Sequence, residues 1–283
     1  MNKINFIGII SAAHCNPNGD PLLGNRPRTD YDGYGEITDV CIKRKIRNRL
    51  QLAGERILLQ THDRIDDGCI NVKERASLPT VRDFLKKHKE AEAIAVLCKE
   101  FFDVRAFGMV FSMLPFKNTM VSGVKGPVSI SIGRSLDIVN VRDYPITRSG
   151  NITSEEGRGT ETYGMSLPKI DYGAYLFFGG ITPFIAQKTG FSDEDAEKLK
   201  AAMLDMFQTD ASIARPDGSM CIPLLYWIKH ESFLGVCNPV LIKDALKITK
   251  KEGVESPHRW EDYDVDDSKL FEIPKLTIEK YTL

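Results

Sequence analysis

The chain has 283 residues, with 38 Lys and Arg against 39 Asp and Glu, a formal net charge of -1, and 42% hydrophobic residues. That length suits one large domain or two ordinary ones, and the composition is that of a soluble globular protein rather than a disordered or fibrous one. No apolar run reaches the ~18–20 residues that cross a bilayer, so no membrane span or membrane partner is expected.

The first element in chain order is MNKINFIGIISAA, whose apolar run is broken by Asn5 and Gly8. It reads as a buried strand and not as a secretory leader, which places the chain in the cytoplasm. Gly8 inside it points to close approach by another backbone. Residues 14–50 follow as HCNPNGDPLLGNRPRTDYDGYGEITDVCIKRKIRNRL. The NPNGDP part is a loop, since Asn and Asp fold back on their own backbone and Gly19 permits positive φ. The end is the clearest helix of the chain. Thr38 or Asp39 caps it, Ile42, Ile46 and Leu50 form a buried stripe, and Gly54 ends it.

Five of the seven residues from Lys43 to Arg49 are basic. Lys45 with Arg49, and Lys43 with Arg47, flank the apolar stripe, while Arg44 points away. Asp39 before Lys43 is the one acid four residues from any of them, and like charges at that spacing cost about a few tenths of a kcal/mol each. A helix with a purely structural role more often interleaves Glu. The face is therefore read as polyanion-binding rather than as a solvated amphipathic surface.

Residues 55–90 are mixed and polar, an insertion or peripheral subdomain. AEAIAVLCKEFFD reads as a helix and VRAFGMVFSML as a strand. In the segment containing GVKGPVSISIGRS, a Gly-rich turn precedes a period-two strand with Val128, Ile130 and Ile132 on one side and Ser129 and Ser131 on the other. Residues 142–169 are polar and long for a connection, as functional loops are. IDYGAYLFFGGITP is a strand. The next helix is capped by Ser192 and has Ala196, Leu199, Met203 and Met206/Phe207 on its apolar face. GSMCIPLLYWIKH is a strand in which Pro223 marks an edge or a bulge. An irregular acidic segment over 250–283 ends in a short strand near LTIEKYTL. With the insertions at about 55–90 and about 135–165 removed, the order is β-α-β-β-α-β. That is an α+β fold, ferredoxin-like, as in many RNA-binding modules, and a single domain over 1–283.

The six cysteines form no CxxC pair and sit among apolar neighbours, so they read as packed thiols and not as a metal or disulfide framework. No cofactor or metal is expected. His14 beside Cys15 has no partner motif. Charge is unevenly spread: residues 1–52 carry eight bases against five acids, a net of +3, and residues 255–272 carry seven acids against two bases, a net of -5. A basic front with an acidic end suits a subunit that binds a polyanion and touches copies of itself.

An RNA-backbone binder needs cations for phosphates and small residues that let its backbone approach. Asn16, Asn18, Gly19 and Gly24-Asn25 supply close approach. Arg26 and Arg28, then Lys43, Arg44, Lys45, Arg47 and Arg49, supply charge. Lys125 and Arg134 lie in the second Gly-rich segment, where Gly-Pro reads equally as a plain turn, and Arg148 lies in the long loop. A nuclease would use Asp20, Asp30, Asp32 and Asp39 around Mg²⁺. Acids in turns, however, more often cap helices or close Asx-turns, and hydrolase motifs are absent. The chain is read as no enzyme.

HCNPNGDP after an apolar strand, RPRTD, and TDVCIKRKIRNRL together resemble the RNA-binding backbone subunit of CRISPR type I Cascade complexes, the seventh CRISPR-associated family, in its type I-C form and within the RAMP superfamily. VKGPVSISIGRSLD and YGMSLPKIDYGAYLFFGGITP are softer landmarks of the same family. The resemblance implies an RRM-like palm with a thumb-like hairpin over 142–163. Copies would stack along one CRISPR RNA and present its spacer to target DNA without cutting. The other partners implied are a fifth-family endoribonuclease or cap subunit and a large subunit. The alternative is a metal-dependent ribonuclease of the related type III kind, with Asp30, Asp32 or Asp39 in the early loop. Gly164-Met165-Ser166-Leu167 departs from the basic residues expected before the YGAY strand.

Overall fold

The computed structural model describes residues 1–87, 89–110, 123–147 and 162–283. Its strands are β1 (Ile4–Cys15), β2 (Gly19–Asp20), β3 (Arg26–Pro27), β4 (Tyr34–Ile37), β5 (Gly108–Val110), β6 (Gly123–Lys125), β7 (Val128–Ile130), β8 (Gly133–Ile138), β9 (Val141–Thr147), β10 (Thr162–Ile181), β11 (Met220–His230), β12 (Lys247–Lys250), β13 (Tyr263–Asp266) and β14 (Leu276–Thr282). Its helices are α1 (Asp39–Leu52), α2 (Val72–Arg75), α3 (Pro79–Lys86), α4 (Glu90–Glu100), α5 (Phe102–Phe107), α6 (Pro183–Thr189), α7 (Asp193–Asp205), α8 (Pro239–Asp244) and α9 (Ser268–Phe271).

The fold is mixed α/β around one large antiparallel sheet, ordered β14-β11-β1-β10-β8-β4, with β7 and β9 also pairing with β10. The apolar N-terminal run is its centre: β1 pairs along its length with β10 and β11. The register of β1 on β11 shifts between Ile9↔Leu224 and Ser11↔Cys221, so Ile222 and Pro223 together face Ile10, and Pro223 lies in a bulge where a missing N–H costs least. Strand β10 is 20 residues long. Its second half lies on β1, while its first half leaves the sheet as a hairpin with β9, from Ile170↔Val141 out to Thr162↔Thr147. Residues 148–161 of the thumb-like loop expected over 142–163, Arg148 included, lie outside the described residues.

Both faces of the sheet are covered. On one, Phe6, Ile10, Phe177 and Trp227 pack against Ile42, Ile46 and Leu50 of α1 and Leu199 and Met203 of α7. Burying each of these large side chains contributes about 1.5–3 kcal/mol, so the stripe of α1 supplies much of its docking energy. On the other, Ile7, Ile9, Ala174, Leu224 and Tyr226 pack against Ile242, Tyr263 and Leu270. The segment expected to be an irregular tail is this second cover: β12 pairs with β13, Tyr226 donates to Asp267 at 2.6 Å, and β14 extends the sheet. A third core, with Leu58, Val81, Leu97 and Phe101, belongs to a helical subdomain around the expected insertion.

Three local expectations change. Val104–Phe107 is helical, because α5 continues to Gly108, whose φ of 77° ends it. Ile132 is half exposed, since β7 stops at Ile130 and Ser131 donates its N–H to the Phe178 carbonyl beyond the ladder. A Cβ at Gly8 would lie 2.5 Å from the Phe177 ring, so an aromatic side chain, and not another backbone, requires that glycine. Among the described residues no helix is long and apolar enough to cross a membrane.

His230 is buried at the end of β11. Its Nδ1 accepts from the Val236 N–H at 3.0 Å, and its Nε2 faces Asn5 Oδ1 at 2.8 Å. That pattern needs the neutral Nε2–H tautomer, and burial, then the Lys3 charge, holds the ring below its usual pKa. The unfolded chain therefore takes up the proton first. The contribution is complete above the unfolded value of ~6.5 and is lost as pH falls through the lower folded value. Urea unfolding between about pH 8 and pH 5 should show stability declining at the acid end, and His230→Gln should flatten that decline.

Candidate nucleic-acid interface

The loop after β1 begins with a backbone device. His14 has φ 50°, a left-handed conformation that reverses the strand's alternation, so that Cys15, like Ala12, faces the core. Asn16 is 4% exposed. Its Nδ2 donates to the Asn25 carbonyl at 2.7 Å, and its own N–H donates to the Ala214 carbonyl at 2.8 Å. Asn18 Oδ1 accepts from both the N–H and the hydroxyl of Thr38 at 2.9 Å. Thr38 in turn caps α1 through the Cys41 N–H, which settles the choice between Thr38 and Asp39. Asn16 and Asn18 thus close the loop and fix the helix entry.

Gly19 is required for a different reason from the one expected. It does not adopt positive φ; the Asn25 side chain occupies the space of its Cβ. The left-handed residues are Gly24 and Asn25, at the tip of the β2–β3 ribbon, and beside them Leu22 is 92% exposed. Asp20 caps the turn through the Leu22 N–H and pairs with Arg28 at 3.2 Å. Asp30 accepts from the Asp32 and Tyr34 N–H groups and pairs with Arg134 at 2.8 Å. Asp39 pairs with Lys43 at 3.0 Å. Each of these early acids has a local task, and among the described residues no group of three His, Cys, Asp or Glu is placed to hold a metal ion.

Helix α1 differs most from its sequence reading. Three of its five cations have acidic partners from distant segments. Lys45 is 6% exposed and lies 2.5 Å from Asp210. Arg47 is 7% exposed and lies 3.1 Å from Asp103, whose carboxylate also accepts the Leu58 and Leu59 N–H groups. Arg49 reaches Asp205 at 3.3 Å, and Arg44 donates to the Leu59 carbonyl. The inference that these charges lack counter-ions is therefore corrected: they clamp α1 to α7, to α5 and to the segment after α7. Burial holds the Lys45 ammonium below its usual range, with Asp210 opposing that shift.

The exposed cations lie instead where the loop meets the sheet edge and the hairpin. Arg26 pairs with Asp143 at 2.6 Å, tying loop to hairpin. Arg134 stands over the Tyr34 ring at 3.8 Å from its centroid. Arg142 pairs with Asp171 at 2.8 Å. Lys125 is exposed on the separate β5–β6 ribbon, and no hydrogen bond or ion pair joins it to the loop among the described residues. Two arginines were missed in the sequence. Arg142 pairs across 29 residues of chain with no local signal. Arg215 stands in the ARPDG turn and donates through Nε to Asp210 at 2.9 Å and through Nη1 to the Asn16 carbonyl at 3.4 Å.

A family model described as CRISPR-associated protein Cas7 matches residues 2–268. The chain is 29% identical over 220 residues to a CRISPR-associated protein Cas7 of Haloferax volcanii, covering 70% of this chain; it spans 62% of the length of that relative. Its fold is similar to a solved chain titled "CRISPR RNA-guided surveillance complex, pre-nicking", with TM-score 0.53, 14% identity, and coverage of 86% of this chain and 81% of that one. A chain titled "CRISPR RNA-guided surveillance complex" aligns with TM-score 0.49 and 14% identity, covering 86% of this chain and 74% of that one.

The clamp and the exposed pairs should respond differently to mutation. Asp210→Ala strands a buried ammonium and should cost about 3–5 kcal/mol in urea unfolding. Asp143→Ala, which frees a half-exposed arginine, should leave the midpoint where it is.

Proposed function

The chain belongs to the CRISPR-associated Cas7 family, and from that membership we propose that it is a guide-RNA-binding backbone subunit of a type I CRISPR interference complex, in the type I-C form. In this reading, copies polymerise along one CRISPR RNA in the cytoplasm and hold the spacer for pairing with target DNA in antiviral defence. A fifth-family endoribonuclease or cap subunit and a large subunit complete the assembly, and the chain itself does not cut. We read the path β1–α1–β7/β8–β10–α7–β11 as a ferredoxin-like, RRM-like core, with the helical subdomain and the β9–β10 hairpin as its insertions.

One observation carries the reading: the family match runs over residues 2–268 and so takes in the loop, α1 and the hairpin as one unit. The geometry supports a particular mode of contact. Arg26, Arg134 and Arg142 are each held in place by a carboxylate while remaining largely exposed. Such pairs contribute little to folding because water and salt screen them. A phosphate can therefore replace the carboxylate at small cost, and the guanidinium fork suits its oxygens. Of the residues assigned from sequence, Arg26, Arg28, Arg134 and Lys125 remain proposed RNA contacts, as does Arg148. Lys43, Arg44, Lys45, Arg47 and Arg49 are proposed to act by holding the loop's foundation, and Asn16, Asn18 and Gly19 by shaping it.

The test is RNA binding across a salt series, read by fluorescence anisotropy with an unstructured oligonucleotide. Each lost phosphate contact removes about 0.7 from the slope of log K against log salt. The triple variant Arg26→Ala, Arg134→Ala, Arg142→Ala should lose about 2 from that slope, equally for oligonucleotides of different sequence. Unchanged affinity and slope would place the contact surface elsewhere.

A further inference from the structure

The charge around Asp210 does not balance. A single carboxylate oxygen, Asp210 Oδ2, takes both Lys45 Nζ at 2.5 Å and Arg215 Nε at 2.9 Å. No second acid pairs with either cation among the described residues, so the cluster keeps one excess positive charge. Lys45 is buried and cannot meet an outside anion. Arg215 can: its side chain is 24% exposed, and its Nη2 has no protein partner among the described residues. The guanidinium is held on two sides, by Asp210 and by the Asn16 carbonyl, with its third edge unengaged.

Its surroundings favour a polyanion. Arg215 abuts the first residue of the loop that follows Cys15, and both Arg215 and Lys169 are near enough to the Cys15 thiol to oppose the rise that burial imposes on it. Arg28 adds a third cation near Cys41 beside Lys45 and Arg215. The floor of the loop is also incompletely satisfied. Asn16 Oδ1 and Arg28 Nε are shut from solvent without a partner among the described residues, and Asn16 is more than nine-tenths buried.

We propose that Arg215 is a phosphodiester-binding residue of the guide-RNA path, its free guanidinium edge set by Asp210 and the Asn16 carbonyl, with Lys45 as a positioning residue behind it. This rests on the RNA-binding reading and adds to it a contact from the segment after α7. The arrangement explains why a lysine is buried in the helix next to the loop. Lys45 fixes Asp210, Asp210 fixes the plane of the guanidinium, and the guanidinium pins the loop.

The experiment uses the full chain and the labelled RNA oligonucleotide. Arg215→Ala should weaken binding several-fold and lower the salt slope by about 0.7. Arg215→Lys keeps the charge and Asp210's partner but not the planar fork; it should keep the wild-type slope and still lose affinity. Because the lysine variant keeps the cluster paired, a folding defect in the alanine variant does not decide the matter. Wild-type affinity for both variants, or a slope unchanged in folded Arg215→Ala, overturns the assignment. A wild-type chain that binds no RNA overturns the broader reading instead, so the two failures are distinguishable.

Discussion

A cation taken out of water without a counter-charge costs several kcal/mol, and the organisation of this chain follows from meeting that requirement twice within one helical turn. Lys45 and Arg47 are neighbours across Ile46, and Ile46 is fully buried against the sheet. Docking the apolar stripe forces both flanking cations below the surface. Each then recruits an acid from a different part of the chain, Asp210 after α7 and Asp103 at the start of α5. The two ion pairs fix more than α1. Through Asp103 they hold the helical subdomain, whose Leu58 and Leu59 amides share that carboxylate. Through Asp210 and Arg215 they hold the first residue of the loop. Hydrophobic burial supplies the docking energy, while the ion pairs select one arrangement among the many that would bury the same stripe.

The second constraint is that neither face of the sheet is open. A bare RRM-type sheet presents aromatic residues on which bases stack. In this chain the sheet face opposite α1 and α7 carries Ile7, Ile9, Leu224 and Tyr226 under α8, the β12–β13 ribbon and α9. The acidic charge of that cover is partly neutralised against the chain's own sheet: Lys280 of β14 pairs with Asp267 at 2.6 Å. A negative segment laid over the sheet also repels a polyanion from it. Any nucleic acid is thereby directed to the loop, the sheet edge and the hairpin, where the exposed arginines stand.

What could be read in the sequence was local. The stripe Ile42, Ile46, Leu50, the cap at Ser192 and the apolar runs of β1, β10 and β11 were legible because their signals lie within a few residues. The partners of Lys45, Arg47 and Arg49 were not, because 165, 56 and 156 positions separate them from their acids. A search for acids four residues away is blind to such pairs, and it turned a structural clamp into an apparent free surface. The same blindness covers Gly8 and Gly19. Each glycine was recognised as necessary, but the atom that excludes a side chain, in Phe177 and in Asn25, is known only from packing. For the site, the hydrogen bonds that engage the loop's own residues were equally hidden. Asn16 and Asn18 have the composition of a backbone-approaching loop and the hydrogen bonds of a brace.

These constraints bear on how a guide could be held without regard to its sequence. Base identity is read by groups that reach base edges, whereas phosphate contacts set position and carry no information about letter order. Three exposed guanidinium groups of the loop, sheet edge and hairpin base are already bound to carboxylates. The side chains of Asn16 and Asn18 are engaged within the loop. Under the proposed function this arrangement favours backbone holding over base reading, the division of labour that guided recognition needs when sequence is assigned to base pairing. Under the proposed function, burying Asn16 and tying Asn18 to Thr38 is as much a part of sequence-independent binding as exposing Arg26 and Arg134.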